Sequence, residues 1–269
     1  MKLLVARTLE EYINVIDQIK RSQKYTWFRG MRKASFTLMP SLFREKRQVG
    51  LRFSGRVING RFYRKSDAIM KSDLAAIDAF IESYKRFYPE KCQNFNLIDY
   101  LYIMQHYEIP TRLLDFSTNE FIALYFSVAG AELHGSSGSL EEEISDFHEN
   151  YGYSDLGSSV QVIDPVLTNS KTNAFENIKD DVLNIDDISH DALSRIDLPI
   201  CVSTTNQDKR IVTQQGVFML FGADYRSYDQ YKVLEAEAHK IFIPNSCRPR
   251  SNMNSKSVLV LATALCIRI

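Results

Sequence analysis

The sequence predicts an α+β fold in a single domain, with a helix-rich N-terminal half packed on a strand-rich C-terminal half. Apolar residues recur at helical spacing through most of the first 130 positions. Beyond residue 160 they form short alternating or densely apolar runs, which are typical of strands. A chain of 269 residues, 45% of them hydrophobic, can bury such a core without disulfides or metals.

The helices of the N-terminal half begin at recognisable caps. Thr8 and Glu11 form a capping-box pattern ahead of the first helix. Asn96 is suited to cap a helix over about 97–107, and Pro110 ends that helix because the residue before proline disfavours helical geometry. Each of these predictions depends on a few adjacent residues only.

The remaining elements follow from local patterns. A helix is predicted over about 67–87, and a largely apolar one over 121–128, capped by Ser117 or Thr118. Glycine, serine and glutamate over 131–159 predict a mobile loop, and a second loop is expected over about 50–65. Strands are predicted over 25–28, 160–163, 199–203, 216–221 and 240–243.

The formal net charge of zero hides a strong segregation of charge. Residues 29–65 contain 11 basic residues and one acid, whereas residues 132–200 contain 15 acids and 3 bases. A balanced total does not favour a nucleic-acid binder, which usually has a basic excess. The basic segment is either a solvated face or a cationic site for an anionic ligand, with the acidic segment as an insertion.

Cysteine usage and the N-terminus indicate the compartment. The four cysteines are scattered without a Cys-x-x-Cys pair, which is neither a zinc signature nor a disulfide framework and suits a reducing, cytoplasmic location. The N-terminal apolar run is too short for a signal peptide, and no stretch is long enough to span a membrane. We therefore expect no membrane partner and no metal; the oligomeric state stays open.

Three stretches carry recognisable motifs, and they occur in a fixed order: Trp27-Phe28-Arg29-Gly30 with Met39-Pro40-Ser41-Leu42-Phe43-Arg44; Gln105-His106-Tyr107-Glu108-Ile109-Pro110-Thr111-Arg112-Leu113-Leu114-Asp115-Phe116-Ser117; and Arg210-Ile211-Val212-Thr213-Gln214-Gln215-Gly216-Val217-Phe218. Together they resemble the FRG domain, a bacterial family named for its Phe-Arg-Gly motif. The resemblance covers roughly residues 8–245, and the middle motif is its most specific part. Glu108 departs from it, since the family usually has glycine there.

The resemblance implies a shared fold and an intracellular bacterial protein, with an association to phage defence or mobile elements. It implies no mechanism, because the family is largely uncharacterised. Residues 131–200 lie where the family is variable, and residues 246–269 form an atypical tail. The codons of residues 265–269, started at the third base, can spell Leu-Tyr-Pro-Asp, which the family carries near its end; residues after about 250 are therefore predicted to be out of frame.

The motif residues indicate a binding site for a small anionic, nucleotide-like ligand. The guanidinium of Arg29 matches phosphate or carboxylate, and Gly30 would let the backbone approach a ligand. The alternative is that Arg29 forms an ion pair with Asp115 or another acid. Gln214 and Gln215 can read an amide or a base edge, or can satisfy a turn.

The middle motif supplies a second group of candidates. Thr111 and Arg112 are candidate ligand contacts, and His106 and Asp115 are candidate catalytic groups. The structural alternative has Asp115 capping the next helix, Arg112 pairing with Asp115, and His106 bonding a backbone carbonyl.

A different set of residues supports the hypothesis that the protein is an enzyme. Arg29, Ser203-Thr204-Thr205 and Glu235-Ala236-Glu237 resemble the Arg, Ser-Thr-Ser and Glu-x-Glu order of arginine-class ADP-ribosyltransferases. That resemblance implies NAD as cosubstrate, with Arg29 on its phosphates and Glu237 as a catalytic carboxylate that stabilises the reacting ribose. A third reading is a non-catalytic interaction or regulatory module. The sequence leaves open whether the protein is an enzyme.

Overall fold

The computed structural model describes residues 1–48, 56–58, 61–63, 65–129, 138–172, 183–184, 193, 196, 198–203, 209–222 and 226–248. The described helices are α1 (Leu9–Ser22), α2 (Ser41–Gln48), α3 (Lys65–Phe87), α4 (Leu97–His106), α5 (Glu120–Val128), α6 (Leu140–Glu149), α7 (Pro165–Ser170), α8 (Lys209–Gln214) and α9 (Lys232–Glu235). The predicted α+β class is confirmed.

The strands build one eight-stranded mixed sheet with the order β1-β10-β6-β2-β5-β9-β8-β7, and β3 and β4 pair separately. Strands from the N-terminal half, β1, β2 and β5, are interleaved with strands from the C-terminal half. Their bounds are β1 (Lys2–Val5), β2 (Trp27–Met31), β3 (Arg56–Ile58), β4 (Arg61–Tyr63), β5 (Leu113–Ser117), β6 (Gly157–Ile163), β7 (Leu183–Asn184), β8 (Ile200–Ser203), β9 (Gly216–Leu220) and β10 (His239–Pro244).

The two faces of the sheet are covered differently. On the helical face, Phe28 and Ala123 belong to one apolar cluster with α1, and β8 and β9 pack against α4. On the loop face, Trp27, Met31 and Phe116 pack against Leu38 and neighbouring residues of the segment leading into α2. Successive residues of β2 and β5 therefore point to different environments, because side chains alternate along a strand.

The predicted caps of α1 and α4 are confirmed. The side chain of Thr8 accepts the Glu11 N–H, and Asn96 forms a capping box with Asp99. The cap of α5 is instead Asn119, whose side chain accepts the N–H groups of the next two residues. The Ser117 hydroxyl does not cap the helix itself, because it donates to the Gln214 carbonyl and accepts the N–H of Asn119.

Two predicted loops contain regular structure. The hairpin β3–β4 lies within 50–65, and α6 lies within 131–159. The start of α6 carries a capping box between Ser139 and Glu142, a signal that the surrounding glycines and serines concealed. The strand β1 precedes residue 8 and pairs in parallel with β10. The tail prediction falls on residues 249–269, which lie outside the described residues.

Candidate functional site

A cavity opens where β2 and β5 separate. These neighbouring strands have a single register pair, Phe28 with Ser117, whereas β2 and β6 are paired along five residues. The cavity has a volume of about 380 Å³, which lies within the usual range of small-molecule sites. Its lining residues are Phe28, Arg29, Gly30, Met31, Arg32, Phe36, Arg44, Asp115, Phe116, Ser117, Ile122, Ala123, Phe126 and Gln214.

Gly30 brings α5 against β2 beside this cavity. A Cβ at position 30 would lie 1.9 Å from the Ala123 carbonyl oxygen and 2.6 Å from the Ser127 nitrogen. Such distances are incompatible with any side chain, so glycine is required by helix packing. The close backbone approach expected here from the sequence is therefore made by a helix, although Gly30 also lines the cavity.

Arg29 lies in the middle of β2 and is only partly satisfied. One terminal nitrogen donates to the main-chain carbonyl of Asp115, and Nε is buried without a hydrogen-bond partner. Burial lowers the pKa of Arg29, Asp115 raises it, and the nearby Arg44 lowers it. The alternative of an ion pair with Asp115 is not found among the described contacts, since the bond runs to the main-chain carbonyl. An anion beside Arg29 would offset this cost of burial.

The cavity rim is cationic and aromatic. Arg32 and Arg44 are exposed, and Arg44 has no carboxylate within 4 Å in the described part of the chain. Phe36 and Phe126, which also line the cavity, are 45% and 42% exposed. Positive charge and accessible ring faces thus meet at one opening.

Asp115 is held at the cavity by a relay from α4. Gln105 Nε2 donates to Asp115 Oδ1 at 2.6 Å, and Thr111 Oγ1 donates to Gln105 Oε1 at 2.9 Å. Because a carboxylate only accepts hydrogen bonds, the amide nitrogen must face Asp115, and the amide oxygen is left to accept from the threonine hydroxyl. Thr111 is itself buried and accepts the Leu113 N–H, so it supports the site without lining it.

The end of α4 sets the position of this relay. Glu108 has φ +60°, Ile109 N–H donates to the Met104 carbonyl and Glu108 N–H to the Gln105 carbonyl. This is a Schellman motif, in which the left-handed residue is usually glycine. The departure from the family pattern noted at Glu108 therefore falls on a position where glycine has a physical advantage.

Arg112 lies away from the cavity and is fully buried. Its Nη2 donates to Asp73 Oδ2 at 2.7 Å, and Nη1 donates to the Gly222 carbonyl. The guanidinium also lies 5.8 Å from the Phe43 ring centroid. The alternative pairing with Asp115 is wrong, because Asp73 of α3 takes that place. Because Arg112 has these partners and is not exposed, the structure does not support its predicted contact with a ligand.

Two other sequence candidates also lie outside the cavity lining. The His106 ring is exposed and its centroid is 5.5 Å from that of Tyr107. Gln215 has φ +45°, and its side-chain oxygen accepts a hydrogen bond from Thr118 at 3.3 Å. Gln214 lines the cavity, and its carbonyl anchors Ser117. Of the sequence candidates, Arg29, Gly30, Asp115 and Gln214 come together.

The residues of the transferase hypothesis do not converge. Ser203 belongs to β8, and Glu237 is an exposed residue of the turn before β10. These two strands are separated by five strand intervals, which corresponds to roughly 24 Å at the usual strand spacing. Arg29 lies on β2 between them. Thr204 and Thr205 lie outside the described residues.

Sequence reasoning missed Gln105, Phe36 and Phe126 and placed little weight on Arg44. Gln105 stands directly before His106 in the middle motif, and a histidine is the more usual acid or base, so His106 was the predicted candidate. Its role depends on Asp115, ten residues later. Arg44 belongs to the basic segment, whose many arginines gave no means of choosing among them.

The family model of the FRG domain matches residues 24–135, so this part of the chain is similar to that family. The third sequence motif lies beyond the matched range. No curated protein and no solved structure matches the chain. None of the helices in the described ranges is both long and apolar enough to cross a membrane. Within the same ranges, no three His, Cys, Asp or Glu residues are grouped to hold a metal ion.

Proposed function

We propose that this FRG-domain chain binds a small anionic, nucleotide-like ligand in the cavity between β2 and β5, with Arg29 and Arg44 on its phosphate. The observation that carries the proposal is the state of Arg29. Its guanidinium faces a cavity, its Nε has no partner, and the nearby charges are the carboxylate of Asp115, which makes no ion pair with it, and a second arginine, Arg44. A planar cation left in this condition is suited to a phosphate, which accepts several hydrogen bonds at once.

The balance of charge around the cavity favours an anion. Arg29, Arg32 and Arg44 line it against a single carboxylate, that of Asp115. All three arginines come from the basic segment found in the sequence. The zero net charge of the chain therefore does not describe the site, because the compensating acids lie mainly in residues 132–200.

The aromatic rim supports a nucleotide-like ligand over a simple ion. Phe36 and Phe126 present accessible ring faces at the same opening as the arginines. A base can stack on a phenyl ring while its phosphate meets a guanidinium. Gln214, with one amide donor group and one acceptor, is placed to contact a base edge.

The two other functional hypotheses from the sequence have less structural support. ADP-ribosyl transfer would need Arg29, Ser203 and Glu237 to share a site, and the strand order separates them. An interaction module accounts for Thr111 and Arg112, which hold the fold, but leaves the unpartnered Nε of Arg29 unexplained. The proposal therefore keeps a binding role and assigns no reaction. We also propose the cytoplasm of a bacterium as its setting; a role in phage defence is a further proposal that only the family association supports.

The test is calorimetric titration of AMP, ADP, NAD and inorganic phosphate into wild type, Arg29→Gln and Arg44→Gln. We expect at least one nucleotide to bind wild type and its affinity to fall tenfold or more in Arg29→Gln, since a charge-assisted hydrogen bond contributes about 1.5–3 kcal/mol. Arg86→Gln is the matched control, because Arg86 is exposed on α3 outside the cavity lining. Absence of binding to wild type, or equal affinity in Arg29→Gln, would refute the proposal.

A further inference from the structure

Asp115 is the one carboxylate among the described residues that line the cavity, and it is out of place in a site built only for anions. A carboxylate repels a phosphate and accepts hydrogen bonds without donating any. Its neighbours in β5 are buried, whereas Asp115 is exposed. Its presence beside three arginines therefore calls for a role of its own.

The carboxylate of Asp115 is not neutralised by the arginines. Arg29 donates to the main-chain carbonyl of Asp115, and within the described chain no arginine nitrogen lies within 4 Å of its carboxylate oxygens. The group that binds the carboxylate is the neutral amide of Gln105, on Oδ1. No donor from the described residues reaches Oδ2, which is left as an acceptor at the cavity.

The orientation of this acceptor is fixed from behind. The buried hydroxyl of Thr111 donates to the Gln105 amide oxygen, and the amide nitrogen holds Oδ1 at 2.6 Å. The Schellman motif at Glu108 joins Gln105 to the segment that carries Thr111. A fixed acceptor discriminates more sharply between ligands than a mobile one, because it need not be ordered on binding.

We propose that Asp115 selects the ligand by accepting a hydrogen bond from a hydroxyl group close to its phosphate. The ligand class is then a phosphate ester of a hydroxylated sugar, such as a ribonucleotide, and not a bare phosphate. The inference rests on the proposed function, since it names the ligand class of the same cavity. Asp115 contacts the ligand directly, and Gln105 is a positioning residue that acts through Asp115.

The proposal explains why the cavity contains both arginines and the carboxylate of Asp115. The arginines attract any phosphate, and the carboxylate makes a phosphate without a neighbouring hydroxyl less favourable. A site that hydrogen-bonds a ligand hydroxyl rejects the analogue that lacks it, because its own polar group is then left unpaired. Attraction thus provides affinity, and Asp115 provides selectivity.

The test compares each nucleoside 5′-monophosphate with its 2′,3′-dideoxy analogue, and with inorganic phosphate, by calorimetric titration. In wild type we expect the ribonucleotide to bind at least tenfold more tightly than the dideoxy analogue. In Asp115→Asn, which keeps the shape of the side chain, this ratio should fall to about twofold or less, and inorganic phosphate should bind more tightly than in wild type. Gln105→Leu should reduce the ratio partially, because Oδ1 loses its donor.

The outcomes separate the two proposals. Binding that depends on Arg29 but does not distinguish the two nucleotides overturns the role of Asp115 and leaves the phosphate site standing. An unchanged ratio in Asp115→Asn does the same. Absence of any Arg29-dependent binding overturns the phosphate site, and with it this inference. The comparison of ligands on wild type needs no variant, so it holds even where a substitution impairs folding.

Discussion

Arg29 and Arg112 are both motif arginines, but their guanidinium groups lie in very different surroundings. Arg112 is fully buried, with an Asp73 carboxylate, a main-chain carbonyl and an aromatic ring around its guanidinium. Arg29 has one carbonyl and an unpartnered Nε, and the charges near it are Asp115, which bonds it only through the main chain, and a second arginine. Membership of a motif therefore does not separate a structural cation from a binding one. The separation comes from how completely the folded chain compensates the charge.

The two arginines also differ in what their loss should do. A buried and paired charge stabilises the fold only as long as its partner is present, because an uncompensated buried ion is costly. A cavity arginine that is bonded to a single carbonyl, as Arg29 is, contributes less to folding and keeps its other hydrogen-bond donors for a ligand. Stability and binding measurements should thus give opposite rankings for the two regions.

The largest effect is expected from Asp73→Ala. Removal of this carboxylate leaves the Arg112 guanidinium buried without its ion-pair partner, which should lower the free energy of unfolding by about 3–5 kcal/mol. Urea denaturation followed by circular dichroism measures the change. The double variant Asp73→Leu with Arg112→Met removes both charges and should recover most of the loss. A decrease below about 1 kcal/mol in Asp73→Ala would contradict the structural role of Arg112.

Lys240 is an intermediate case, a buried cation whose partners are carbonyls. Its Nζ donates to the Ala34 and Gly152 carbonyls at 3.0 Å each, and burial lowers its pKa to about 8 from 10.5. Above pH 8 the unfolded chain holds this proton more tightly than the folded chain, so stability rises with pH until both forms are neutral. Relative to Lys240→Met, wild type should gain about 2–3 kcal/mol between pH 7 and pH 10. A constant difference in urea denaturation across this range would argue against the lowered pKa.

Glu108→Gly should stabilise the chain by about 1 kcal/mol, since a non-glycine residue in the left-handed region costs about this much. Glu108 has φ +60° at the end of α4, between Gln105 and Arg112. Thermal denaturation measures the gain. Glu108→Ala is the control, because it removes the side chain but keeps the Cβ. Equal effects of the two changes would show that the glutamate side chain, and not its backbone, decides.

The smallest effect on stability is expected from Arg44→Gln. Arg44 is exposed and has no carboxylate within 4 Å in the described part of the chain, so the free energy of unfolding should change by less than about 0.5 kcal/mol. The affinity for a bound nucleotide should nevertheless fall severalfold, because one of the phosphate-facing charges is gone. A stability loss above 1 kcal/mol, with affinity unchanged, would show that Arg44 has a structural role like that of Arg112 and not a binding role like that of Arg29.

The sequence by itself determined the features that depend on near neighbours. The caps at Thr8 and Asn96 bind N–H groups three residues away. The basic segment that supplies Arg29, Arg32 and Arg44 was equally visible. Such features depend on short segments whose geometry is nearly the same in any fold.

Tertiary structure alone decided which motif residues share a site. Arg112 meets Asp73 across 39 residues, and Gly30 meets α5 almost a hundred residues later. The strand order separates Ser203 from Glu237 in the sheet. The short pairing of β2 with β5 leaves a cavity between these two strands. These contacts depend on how the whole chain packs, and local patterns carry no information about distant partners. The sequence thus determined the candidate charges, and packing decided which of them remained without a partner.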